Sequence, residues 1–240
     1  AYSSVAHLGY VVMGLAARTP EATTGAVLQM LNHGISTGAL FLLIGYMYDR
    51  RHTRDIAAYG GQAKATPFMA AIFLVVTMSS IGLPGTNGFV GEFLILSGTF
   101  NSPGPWGRVW GVVAATGVIL GAVYMLTLFQ KVYLGPITNP EVKATKDLGT
   151  RETITLAPLL VMIVVLGVYP QPFIELMKKP VAAFVERVEP RAAKIAEAAE
   201  KPAGNPRRLQ LDPTRLRQQL QQGVRLPVKP LPAGDGAKTP

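Results

Sequence analysis

The stretch 107–133 reads GRVWGVVAATGVILGAVYMLTLFQKVY, and no charged residue lies between Arg108 and Lys131. A helix that crosses a bilayer needs about 20 mostly apolar residues. This run is longer, and it carries Trp106 and Trp110 at one end and Tyr133 at the other. Aromatic residues at both ends of an apolar run are what the two membrane interfaces select. Four further runs have the same character. They cover 1–17, 25–48, 67–100 and 153–170, the last with a kink expected at Pro158. The fold class that follows is an all-α membrane protein with five transmembrane spans.

Composition agrees where it bears on this. Only 15% of residues are charged, against about 25% in an ordinary soluble domain. Residues 1–170 hold 10 Lys/Arg and 7 Asp/Glu, whereas 171–240 hold 13 and 7 in under a third of the length. The expected division is therefore a transmembrane domain over 1–175 and an extramembrane, Pro-rich polar tail over 176–240. Within the tail, Val181, Phe184, Val185, Val188, Ala192, Ile195 and Ala199 keep a helical period, which predicts an amphipathic surface helix over 181–200. From about 202 onward, disorder is expected. The net charge of +9 would suggest a nucleic-acid partner in a soluble protein. Here much of the excess sits in the tail without an aromatic–basic pattern, so no nucleic acid is expected. The absence of cysteine excludes disulfides, Cys-bound zinc and thiolate-held iron–sulfur clusters. The chain opens at Ala1 inside a helical pattern, and we read it as a fragment lacking an N-terminal part.

Loop charge sets the orientation. Loop 49–66 carries Arg50, Arg51, Arg54 and Lys64, and loop 131–152 carries Lys131, Lys143, Lys146 and Arg151. Both fall on one side, which the positive-inside rule makes cytoplasmic. Loops 49–66 and 134–152 are then cytoplasmic and the tail lies outside, in a bacterial inner (plasma) membrane. His52 reads as a loop-packing residue or cap, and Lys131 as a side chain that snorkels.

The span 67–100 is interrupted. Its middle reads SSIGLPGTNGFVGEF, with Pro84, Gly85, Asn87 and Gly88 breaking the helix over 83–88 and Glu92 about one turn beyond. The two halves rise about 24 and 21 Å and together cross one bilayer. A break exposes backbone polar groups, which are tolerated inside a membrane only where protein or a water-filled cavity satisfies them. Discontinuous helices of this kind mark ion and substrate sites. A carboxylate at that depth is costly, so Glu92 should face the bundle interior. Counting back from the outer ends of their spans puts Glu92, His33 and His7 about 13, 12 and 16 Å deep, in one slab. Gln29, His33 and Ser36/Thr37 share one helix face; Ser3, His7 and Tyr10 share another. Imidazole has an ordinary pKa near neutrality. The pattern points to a proton relay through Glu92, His33 and His7, with Gln29, Ser36 and Thr37 in support. Scattered histidines without ligand spacing do not predict a metal site.

These residues also carry a resemblance. AYSSVAHLGYV at 1–11, GAVLQMLNHGISTGALFLL at 25–43, RRHTRDI at 50–56 and SSIGLPGTNGFVGEFLILSGTF at 79–100 resemble the antiporter-like subunits of proton-pumping NADH–quinone oxidoreductase, respiratory complex I. Among them they are similar to the subunit M group, chain 4 in mitochondria, over roughly 1–170. The acid in GFVGEF distinguishes that group from sister chains that tend to carry Lys there. The resemblance implies helices 10–14 of a fourteen-helix fold with inverted repeats, the broken helix 12 being 67–100. It matches Glu92 to the key acid of that helix and His33 and His7 to the histidines of a central polar axis. It implies a proton-translocating subunit that belongs to an enzyme complex but carries no redox chemistry. It implies no cofactor in this chain, and partners among the other membrane subunits, especially neighbouring antiporter-like ones, and the lipid bilayer. The group's acids and lysines on helices 5, 7 and 8 have no counterpart in this sequence. Two alternatives stand beside this reading. One is a subunit of an Mrp-type sodium/proton antiporter or membrane-bound hydrogenase, whose polar axis would look alike. The other is a non-transporting scaffold, which leaves Glu92, His33 and the break at one depth unexplained.

Overall fold

The computed structural model describes residues 2–103 and 105–200, with side chains through residue 190. Among the described residues every regular element is helical. The order is α1 (Tyr2–Ala16), α2 (Pro20–Arg51), a short 3₁₀ turn (Ile56–Ala58), α3 (Gln62–Ala65), α4 (Pro67–Ser80), α5 (Asn87–Phe100), α6 (Gly107–Tyr133), α7 (Pro140–Lys143), α8 (Thr150–Val168) and α9 (Gln171–Glu200). By length and composition, α2, α6 and α8 can each cross a membrane. Helices α4 and α5, of 14 residues each, form the two halves of the discontinuous span.

Several boundaries differ from the expectation, each for a local reason. Helix α2 starts five residues before 25, because Thr19 caps it: its hydroxyl accepts from the Ala22 amide at 3.1 Å, with Pro20 in the first turn. Such a Thr–Pro start satisfies one orphan N–H and supplies a residue that needs none. The same hydroxyl donates to the Gly98 carbonyl at 3.1 Å, fastening α2 to α5. At its other end α2 runs to Arg51, past 48, and His52 closes it in the left-handed region at φ 50°. Helix α8 begins at Thr150, where the Glu152 carboxylate accepts from the Gly149 amide at 2.8 Å, and it contains Pro158.

The tail helix begins at Gln171, ten residues earlier than 181, so the division at 175 falls inside a helix. It follows α8 after only Tyr169 and Pro170, and Phe173 and Met177 pack on the main core. Val181 and Val185 are buried, but Phe184 is exposed and does not share their face. Ala192, Ile195 and Ala199 lie outside the residues whose side chains are described, as does the segment from 202 expected to be disordered.

The main core joins α2, α4, α6 and α8. Leu28, Ala39 and Leu43 meet Met69, Phe73 and Val76, with Phe129, Tyr133, Ile163 and Leu166 closing the cluster. Phe73 and Tyr133 rings lie 4.9 Å apart, and Phe129 stacks on Tyr133 at 5.1 Å. A smaller cluster, Tyr10, Val11, Ala26 and Ile95, joins α1 to α2 and α5. Helix α5 packs close to α2 because Gly98 presents only its backbone there: a methyl at that position would run into the Ala22 backbone.

The charged loops interlock. Arg50 grips Glu152 with both terminal nitrogens, at 2.8 and 2.6 Å, and its Nε donates to the Lys146 carbonyl at 2.8 Å. Arg51 pairs with Glu141 at 2.6 Å and lies 5.8 Å from the Tyr59 ring centre. The Asp147 carboxylate accepts from the Phe68 and Met69 amides at 2.8 and 2.9 Å. It thereby caps α4, where the helix dipole favours an anion. Loops 49–66 and 134–152 therefore meet at one end of the bundle.

Candidate functional site

The break is shifted from the expected position. Residues 81–86 lie outside helix, while Asn87 and Gly88 already form the first turn of α5. Gly82 and Gly85 adopt φ of 75° and 92°, the left-handed region that side-chain-bearing residues avoid. Pro84 and Gly85 are exposed and turn the chain without entering the site. Asn87 has a larger part than breaking a helix. It is fully buried, and its side-chain nitrogen donates to the Asn32 carbonyl and the Ser36 hydroxyl, each at 3.2 Å. Its side-chain oxygen accepts from the Ser79 hydroxyl and from Ser36. Ser36 and Ser79 are themselves 2.7 Å apart. The Asn32 amide donates in return to the Asn87 carbonyl at 2.7 Å. This network ties the end of α4, the start of α5 and the middle of α2, and it supplies the polar company that a broken helix needs inside a membrane.

Glu92 lies on the buried face of α5, 4% exposed. Its Oε1 is 3.0 Å from His7 Nδ1 on α1 and 3.2 Å from Gln29 Nε2 on α2. Gln29 Nε2 is also 3.5 Å from His7 Nδ1. The other carboxylate oxygen faces Gly82, where an added methyl would sit 2.7 Å from it. The His33 ring centre is 5.3 Å from that of His7. His33 contacts the Ser4 hydroxyl at 3.1 Å and the Thr37 hydroxyl at 3.2 Å. A cavity of about 10 Å³ opens among His7, Gln29, Asn32, His33, Ser36, Ser79 and Glu92. That is room for about one water.

The structure thus brings Glu92, His7 and His33 together, with Gln29 between the first two and Thr37 beside the third. Ser36 serves the break rather than His33. Ser3 and Tyr10 do not support His7. Tyr10 donates to the Ala114 carbonyl at 2.7 Å and Ser3 accepts from Tyr124 at 2.9 Å, both on α6. Sequence reasoning passed over Asn32, Ser79, Ser4 and Gly82. Asn32 and Ser79 are polar residues in otherwise apolar helices, which is a usable signal. Ser4 and Gly82 gave none. Among the described residues no group of three His, Asp or Glu side chains is placed to hold a metal ion.

Fold and site define a class: a helical bundle of the polytopic membrane type, whose discontinuous helix carries a buried carboxylate against an imidazole. The chain belongs to the NADH:quinone oxidoreductase/Mrp antiporter transmembrane family, whose model matches residues 1–121, and it is an integral membrane protein. It is 46% identical over 206 residues to NADH-quinone oxidoreductase subunit M of Rhodobacter capsulatus, covering 85% of this chain and 39% of the relative. It is 48% identical over 170 residues to the subunit M of Rickettsia prowazekii (strain Madrid E), covering 71% of this chain and 34% of that one. The chain therefore spans between a third and two fifths of the length of these curated relatives. Among solved structures, it is similar to a chain of respiratory complex I from Thermus thermophilus with bound NADH. There the identity is 34% and the TM-score 0.68, with 77% of this chain and 38% of the other covered. A chain of the Mrp complex from Dietzia sp. DQ12-45-1b shares the fold at TM-score 0.69 and 23% identity, over 78% and 42% of the two chains.

Proposed function

We propose that the protein is a proton-translocating membrane subunit of NADH–quinone oxidoreductase, in which Glu92, His7 and His33 pass protons across the middle of the bilayer. The observation that carries this is the 3.0 Å contact between His7 Nδ1 and Glu92 Oε1, buried beside a helix break. A carboxylate and an imidazole at that distance share one proton along a single line, and little motion transfers it. His33 extends the path, with the Ser4 and Thr37 hydroxyls against its ring nitrogens. A hydroxyl is donor and acceptor at once, so it can hand a proton on by rotating. Redox energy released in other subunits would change the hydration and charge around this line. The chain itself would hold no flavin, iron–sulfur cluster or quinone. Its partners would be other membrane subunits, antiporter-like ones among them, and the lipid bilayer. The relatives' names support this assignment, and the subunit M named in each supports it over an Mrp-type antiporter or a scaffold.

The interlocked loops 49–66 and 134–152 lie at one end of the bundle and carry the excess of Arg and Lys. This supports placing them in the cytoplasm and α9 on the outer face of a bacterial inner membrane. The assignment is tested by purifying the native complex through a tag on this chain and measuring piericidin-sensitive NADH–quinone activity. Co-purification of that activity is the expected result. A tagged complex with sodium/proton exchange and no NADH oxidation would overturn it.

A further inference from the structure

We infer that Gln29 is a positioning residue that sets the proton affinity of the Glu92–His7 pair by donating a hydrogen bond to the Glu92 carboxylate when the pair is empty. The inference rests on the proton-relay reading above and adds a residue and a direction to it.

Gln29 is 2% exposed, and its Nε2 lies 3.2 Å from Glu92 Oε1 and 3.5 Å from His7 Nδ1. A primary amide nitrogen carries two hydrogens and has no lone pair to offer. Both of its neighbours here are acceptors once the shared proton has gone. The empty pair sets a carboxylate oxygen against a nitrogen lone pair at 3.0 Å. Seen from Nε2 the two acceptors lie too close together in angle for both N–H groups, so Gln29 donates to the nearer, charged oxygen, Oε1, at 3.2 Å. When the pair is loaded, the proton between Oε1 and Nδ1 takes charge from that oxygen, and the Gln29 bond to it weakens. Its amide thus favours the empty state. If the imidazole keeps its hydrogen on Nδ1 instead, Gln29 still donates to the Glu92 carboxylate, and the direction is unchanged.

The Gln29 side chain packs closely against α5. Gly91 of α5 closes on it so tightly that an added methyl would run into Gln29 Oε1 and approach its Cα to 3.1 Å. Turning the amide over would set its oxygen against the carboxylate. Gln29 Oε1 is buried without a hydrogen-bond partner. The side chain is therefore held with its donors toward the pair, although its own acceptor stays unsatisfied. Other titratable groups near the pair are few. Helix α2 adds His33, which contacts Ser4 and Thr37. The Tyr10 hydroxyl of α1 and the Tyr124 hydroxyl of α6 are each engaged elsewhere, with Ala114 and Ser3. Helix α4 contains no titratable residue, and those of α8 are Arg151 and Glu152 at its first turn.

The test is the pH profile of NADH-driven acidification in membrane vesicles holding the whole complex, with subunit content checked on native gels. Gln29→Met keeps the length of the side chain and removes both N–H groups. Its alkaline limb should move up by about one pH unit, the size expected for losing one hydrogen bond to a charged group. Gln29→Glu keeps the shape, replaces the donors with a second acid, and should move the limb further the same way. It carries the test alone if Gln29→Met does not assemble. An unshifted limb, or one moved downward, in an assembled variant overturns the inference. Glu92→Gln run beside them separates the two ideas. If it pumps normally, the relay reading has failed; if it stops pumping while the Gln29 variants keep the native profile, only the role of Gln29 has failed.

Discussion

Replacing Asn87 with Ala should loosen the join between the two half-helices. The Asn87 side chain is fully buried and makes bonds to the Asn32 carbonyl, to Ser36 and to Ser79. Alanine removes all of them. The Ser36–Ser79 bond at 2.7 Å and the Asn32-to-Asn87 backbone bond survive, because neither uses that side chain. A buried hydrogen bond is worth roughly 1 kcal/mol net, so three lost links cost about 2–3 kcal/mol. The vacated amide volume in a tight interior adds to that. Pro84→Ala is the matched control: Pro84 sits in the same break but is exposed, and losing a proline there costs about 0.4–1 kcal/mol through chain entropy. The assay is graded heating of the detergent-solubilised complex, reading on native gels how much of this subunit stays assembled. Asn87→Ala should release it at clearly lower temperature than Pro84→Ala. Equal retention in the two variants would refute the claim that this network holds the break together.

Gly82→Ala should impair pumping more than assembly. Its methyl would meet Glu92 Oε2 at 2.7 Å on a backbone at φ 75°, so the carboxylate must move from His7; assembled Gly82→Ala vesicles with native acidification rates would contradict this. Arg50→Gln and Glu152→Gln should show a coupling of about 1 kcal/mol or less in a double-mutant cycle read by thermal stability, shrinking as salt is raised. Strict additivity of the two changes would show that their two-pronged contact only orders the loop.

Sequence alone set Glu92, His7 and His33 at one level, and the structure brings the three together, because a membrane limits where apolar runs and charges can go. Counting rise per residue suffices for depth, but it carries less about azimuth. A face defined by i, i+4 and i+7 spans a wide arc, so Ser3 and Tyr10 fell in with His7 although both point to α6. Ser36 likewise shares a face with His33 yet turns to Asn87. The break was legible from Pro84 and Gly85, but its extent was not. Asn87 is held by Asn32 and Ser36 on α2, more than 50 residues away in sequence, and by Ser79 across the break, which local turn preferences do not report. Gly82 is legible only in three dimensions, since its importance is the carboxylate it leaves room for. The start of α9 at Gln171 was missed because its first turns pack Phe173 and Met177 on the core of the spans, on either side of the division that polarity places at 175.

Glu92 carries the central claim, and Glu92→Gln tests it most directly. Glutamine keeps the shape of the side chain and can still bond to Gln29 and His7, but it cannot take up or release a proton at this depth. In vesicles with normal content of the assembled complex, Glu92→Gln should lose most NADH-driven acidification, with coupled NADH oxidation falling alongside it. Glu92→Asp should retain part of both, because the carboxylate survives about one methylene away from His7. Full acidification by an assembled Glu92→Gln complex would contradict the account and leave the carboxylate as a structural hydrogen-bonding group beside the break.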